Sequence, residues 1–154
     1  MGAEAYNNAQ FDKQFFKSEE YKMLRILKGE NNMAIRIIRQ EGDEILKKKS
    51  REVEVIDDKV RELIEDMIET MHKYDGVGLA AVQVGILKRI IVIDIYDEET
   101  PIVKLINPKI IKTKGQREVD EGCLSYPNKF AKVKRPEEVV VEETVVETVV
   151  EEAA

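Results

Sequence analysis

Gly76-Val77-Gly78-Leu79-Ala80-Ala81-Val82-Gln83-Val84-Gly85 is the stretch on which the reading of this chain turns. Small residues at this density let backbone come close to a ligand or a neighbouring strand. Gln83 adds a side-chain amide that can donate a hydrogen bond to a carbonyl oxygen. No Gly-Lys-Ser/Thr follows, so the stretch is not a Walker phosphate loop. Nor does it open a helix after a strand, as a dinucleotide fingerprint does. Taken by itself, the spacing also fits a plain helix-to-strand connection with Gln83 as a surface polar group.

The residues on either side give the stretch its place. Upstream, Val60, Leu63, Ile64, Met67, Ile68 and Met71 keep the i, i+3, i+4, i+7 spacing of an amphipathic helix, with Asp57 as its N-cap and Gly76 as its C-terminal stop. His72 reads as a partly exposed residue at the edge of that apolar stripe. Downstream, the β-branched run Arg89–Ile95 predicts a short buried strand. Further strands are expected over Ile102–Ile106, over Lys109–Thr113 after Asn107-Pro108, and within Ala131–Val141, broken at Arg135-Pro136. The chain divides into three expected parts: a helical appendage over 1–32, a mixed α+β domain over 33–141, and a low-complexity acidic tail over 142–154.

Composition excludes several functions. A net charge of −6 argues against a general nucleic-acid binder, and the one basic run, Lys47–Arg51, has no interleaved aromatics. No apolar run approaches the ~20 residues that a membrane-spanning helix needs, and residues 1–10 lack the features of a secretory signal. One cysteine, Cys123, cannot form an internal disulfide, which suits a cytoplasmic location. The single histidine, His72, excludes any mechanism that needs two imidazoles from these 154 residues.

Glu121-Gly122-Cys123-Leu124-Ser125 is the second informative segment. A cysteine beside glycine between two strands can act as a thiolate ligand or a nucleophile, although a lone cysteine is more often a small buried hydrophobe. Together and in this order, after the long helix, the two segments resemble the first two signature motifs of the peptide deformylase family. The likeness extends from about Met33 to Val141 and takes in Ile106-Asn107-Pro108 and Lys134-Arg135-Pro136.

That resemblance implies a peptide-deformylase-like α+β fold, with mixed and antiparallel sheets around a long helix. It implies hydrolysis of the N-formyl group from N-formylmethionyl nascent peptides, using a divalent metal, iron or zinc. By resemblance Cys123 is the thiolate ligand to the metal and Gln83 points its amide at the metal site. The backbone N–H of Leu124 stabilises the oxyanion, and Gly78 contacts the substrate through its backbone.

The third family motif, His-Glu-x-x-His on a helix, supplies two further ligands and the base. Nothing after Val141 matches it. The expectation is therefore a chain truncated or altered after about Val141, lacking the C-terminal metal-binding helix, with its metal weak or absent and inactive alone. The competing readings are a non-catalytic peptide-binding or protein-interaction module and one half of a split deformylase. Apolar sheet surface left uncovered is expected to promote self-association.

Overall fold

Asp57 begins the organising element. The computed structural model of the chain describes residues 34–143, and α1 spans Asp58–Lys73 within it. The Asp57 carboxylate accepts from the Val60 N–H at 2.9 Å, satisfying one of the donors that a helix start leaves open. Val60, Leu63, Ile64, Met67, Ile68 and Met71 are all buried, as their spacing requires.

The helix ends differently from expectation. The left-handed residue is Asp75, at φ +57°, rather than Gly76. The Gly76 N–H reaches back to the Met71 carbonyl at 2.9 Å and the Asp75 N–H to that of His72 at 3.2 Å, which is the pairing of a Schellman cap. Gly76 is needed for a different reason, a side chain packed against it, described below.

Three short strands form an antiparallel sheet on which α1 packs: β1 (Gly78–Ala80), β2 (Ile90–Ile93) and β3 (Val103–Ile106), in the order β1-β2-β3. Leu79 lies opposite Val92, and Ile90 opposite Ile106. All four are buried and close the core against the helix, together with Val53, Ala81 and Val84. Fully burying an aliphatic side chain of this size contributes roughly 1.5–3 kcal/mol, so this helix-and-sheet layer is the main source of stability. Asn107, at φ +52°, pairs its side-chain amide with the Val53 backbone in both directions, at 2.8 and 2.9 Å, and so ties the preceding loop to the end of β3.

The remaining strands form two antiparallel pairs. β4 (Lys109–Lys114) pairs with β7 (Glu138–Glu142), and β5 (Arg117–Cys123) pairs with β6 (Tyr126–Arg135). Proline at 136 lacks an N–H, and β6 and β7 are separated there, as expected. An extended segment from Ala34 to Glu41 straps the layers together. Its Arg36 guanidinium and the Ala34 N–H both reach the buried Asp66 carboxylate on α1, at 2.7–2.9 Å. The proposed appendage over 1–32 and all but Glu142 and Glu143 of the proposed tail lie outside the described residues; Glu142 closes β7.

Candidate active site

Gln83 lies in a single 3-10 turn, Ala81–Val84, that follows β1 directly. Gly85 closes the turn at φ +83°, a conformation that favours glycine, and a Cβ there would also stand 2.9 Å from Arg39 Nε. The Gln83 amide is held in one sense. Its Oε1 accepts from the Ala80 N–H at 3.0 Å, and since a backbone N–H can only donate, Nε2 must face the other way. There it donates to Ser125 Oγ at 3.1 Å and points at Cys123 Sγ, 3.7 Å away.

Cys123 ends β5, Leu124 and Ser125 form the turn, and Tyr126 opens β6. The ladder shifts register between Gly122 and Cys123, which releases the turn from regular pairing. Cys123 is exposed and unbridged. Ser125 is buried, and its carbonyl accepts from the Glu41 N–H at 2.8 Å, while the Gln83 carbonyl accepts from the Arg39 N–H at 2.7 Å. One strap therefore fastens both sides of the site. Leu124 is half-buried and packs on the core beside Gly76, where an added Cβ would stand only 2.6 Å from Leu124 Cδ1.

Glu121 lies two residues before the thiol. Arg135 on β6 donates to both its oxygens at 2.7 Å. These hydrogen bonds hold the Glu121 carboxyl below the usual carboxylate range, aided by the charges of Arg135 and Arg117.

Gln83 and Cys123, forty positions apart, are thus brought together, with Leu124 adjacent. Gly78 lies in β1 opposite Ile93, and a Cβ there would stand 3.8 Å from the Val92 carbonyl oxygen, an ordinary contact. Two expectations change. The lone cysteine is not a buried hydrophobe; it is exposed beside the turn of a two-stranded hairpin. His72 is not partly exposed; it is buried and its Nε2 lies 2.7 Å from Asp94 Oδ2. Ser125, which completes the hold on Gln83, had no role assigned from sequence. Its place inside Glu121–Ser125 was the available signal.

The polypeptide deformylase family profile matches residues 35–151 of the chain. This chain belongs to the polypeptide deformylase family. The match runs past Val141. The chain is 58% identical over 113 residues to the peptide deformylase of Finegoldia magna, covering 73% of this chain and 69% of that protein. It is 53% identical to peptide deformylase 2 of Clostridium acetobutylicum, covering 71% and 72%. Among solved structures it resembles the peptide deformylase of Thermotoga maritima, with a TM-score of 0.67, 40% identity, and 71% of this chain and 74% of that chain covered. The Ehrlichia chaffeensis peptide deformylase in complex with actinonin gives a TM-score of 0.69 at 39% identity, covering 72% and 69%.

Deformylases use a divalent metal, and the donor set here can be tested against one. Three protein ligands are typical of a catalytic centre of this kind. Among the described residues, no three His, Cys, Asp or Glu side chains come together in a way that would hold an ion. Around Cys123 the near groups are the Gln83 amide and, through it, Ser125, while the neighbouring Glu121 is engaged by Arg135. His72 is engaged by Asp94. The described residues therefore do not fit a complete metal centre; they offer the one sulfur of Cys123. No helix among them is long and apolar enough to cross a membrane.

Proposed function

We propose that this chain carries the formyl-recognising part of a deformylase site and, as these 154 residues alone, binds N-formylmethionyl peptide without hydrolysing it. The observation that supports this most is the Gln83 amide, locked by Ala80 and Ser125 so that its donor faces Cys123. A preset donor costs no reorganisation when a carbonyl oxygen arrives. In this reading Gln83 Nε2 and the Leu124 N–H donate to the formyl oxygen, Gly78 offers backbone to the peptide, and Cys123 is the one metal ligand among the described residues. With a single ligand, iron or zinc is held weakly, and the other ligands and the base must come from outside these residues. The exposed, unbridged thiol suits a reducing compartment, the cytoplasm.

Formate release from a formyl-Met peptide, with iron or zinc added, tests the reading. No turnover is expected, while the Gln83 side-chain and Leu124 amide signals shift as peptide is titrated. Turnover that disappears in Cys123→Ala would overturn the first half, and unmoved signals the second. Apolar residues on β4, β6 and β7 support self-association: Ile110 is 61% exposed and Phe130 77%. Sedimentation should show a mass that rises with concentration and falls in Ile110→Lys. A fixed monomer mass would remove that part.

A further inference from the structure

The end of α1 and the end of β2 meet behind the site in a buried polar cluster that the reading above does not use. His72 occupies the last turn of the helix, and its Nε2 lies 2.7 Å from Asp94 Oδ2. Asp94 directly follows β2 and bonds in two further ways. Its N–H donates to the Val77 carbonyl at 3.0 Å, and its other carboxylate oxygen accepts from the Tyr96 N–H at 2.7 Å. Tyr96 then folds back, and its hydroxyl donates to the Gly76 carbonyl at 2.8 Å. The Tyr96 and His72 rings lie 5.5 Å apart, tilted by 46°.

Three facts show that this arrangement is held against local preference. Tyr96 has φ +55°, in the left-handed region that non-glycine residues seldom adopt. His72 and Asp94 are almost wholly buried, and buried polar groups are tolerated only with partners. Burial, with added repulsion from Asp94 and Asp75, pushes the Tyr96 hydroxyl up to about 12, so it is a donor at neutral pH.

The segment so fastened is Gly76 and Val77, and Gly76 lies against the Leu124 side chain. No side chain fits between Gly76 and Leu124, because a Cβ at 76 would stand 2.6 Å from Leu124 Cδ1. A shift of the Gly76 backbone therefore alters the seat of the Leu124 side chain, which packs on the core at that point.

We propose that His72, Asp94 and Tyr96 are positioning residues that fasten the Gly76–Val77 backbone, on which the Leu124 side chain is seated at Gly76, and so help to set where the Leu124 N–H stands. The functional significance rests on the reading of that N–H as a donor to the formyl oxygen; the mechanical link does not.

Tyr96→Phe is the decisive variant, because it deletes one hydroxyl and keeps the ring. Amide hydrogen exchange and NOE spectra of the whole labelled chain provide the readout, with Asp94→Asn as the companion. In Tyr96→Phe, exchange at Gly76 and Asp94 is expected to rise about fivefold, the change that loss of one hydrogen bond produces in local opening. The Leu124-methyl to Gly76 NOE should weaken at least about twofold, while exchange in the middle of α1 stays as in the parent. A merely structural role predicts instead a uniform rise across the helix and sheet. That result, or an unchanged Leu124–Gly76 NOE in folded Tyr96→Phe, would overturn the proposal. If Asp94→Asn does not fold, the Tyr96→Phe result decides alone. A formyl-Met peptide titration separates the two readings. The peptide-induced shift at Leu124 should shrink in the variant, whereas no shift in the parent chain refutes the functional reading and leaves the exchange and NOE result to judge the clasp.

Discussion

The helix-and-sheet layer and the strand pairs β4–β7 and β5–β6 are built on opposite terms. In the first, Met67, Met71 and Val92 have no exposed surface, and residues on one face of α1 meet alternate residues of β1 and β2. In the second, every residue of β4 and of β7 is exposed. Those strands are held by their ladders and by surface pairs such as Lys114–Glu138, which contribute little in water. The candidate site straddles the boundary. Gln83 comes from the packed layer and Cys123 from the end of an exposed hairpin, so the site is only as well formed as the few bonds that cross between them. These include the Gln83–Ser125 bond, the Gln83 amide against Cys123, the two backbone bonds from Arg39 and Glu41, and the seat of Leu124 on Gly76.

The sharpest way to break this comparison is to make a cavity on each side. Met67→Ala should destabilise the fold by about 2–5 kcal/mol, the usual cost of truncating a fully buried side chain. Ile110→Ala, with its side chain largely in solvent, should stay within about 0.5 kcal/mol. Denaturant titration of both variants gives the answer. Similar losses would mean that the strand pairs carry a hidden core and that the contrast is wrong.

A smaller effect is expected at the boundary. Ser125→Ala removes the acceptor of the Gln83 amide and should cost about 1 kcal/mol, the net worth of one ordinary hydrogen bond. Its signature is local. The two Gln83 side-chain N–H signals should move, because only the bond from the Ala80 N–H then orients the amide. Signals that stay in place, with a melting temperature equal to the parent's, would show that the amide is fixed by Ala80 alone.

The same boundary marks what was legible in sequence. Within the packed layer, periodicity located α1, capping chemistry its Asp57 start, and a short β-branched run the strand within Arg89–Ile95, with a further strand expected over Ile102–Ile106, because burial there constrains neighbouring residues. The family motifs singled out Gln83 and Cys123. What sequence did not reveal depends on pairs far apart in the chain. The sense of the Gln83 amide depends on Ser125, and the burial of His72 on Asp94, twenty-two positions on. No local pattern encodes either contact. The helix stop misled for a related reason. Glycine at 76 suggested a left-handed cap, yet Asp75 takes that conformation and Gly76 is small to admit Leu124 from another part of the chain.

The finest test concerns charge on the exposed hairpin. Arg135 holds the Glu121 carboxyl down in the folded chain, chiefly through hydrogen bonds. A carboxyl depressed on folding adds stability that is present above its unfolded value, about 4.3 for Glu, and that is lost as pH falls through the folded value. Titration of the Glu121 side-chain carbon signal should therefore give a midpoint below that of an ordinary glutamate. In Arg135→Ala the midpoint should move up. Because the pair lies at the surface, with both side chains reached by solvent, the melting temperature at neutral pH should barely respond, and added salt should bring the parent's midpoint toward the variant's. A midpoint unmoved by Arg135→Ala would mean that Arg117, on the same strand as Glu121, holds the carboxylate instead. The bond between β5 and β6 beside the thiol would then add nothing to the setting of Cys123, and the exposed half would depend still more on its bonds to the packed layer.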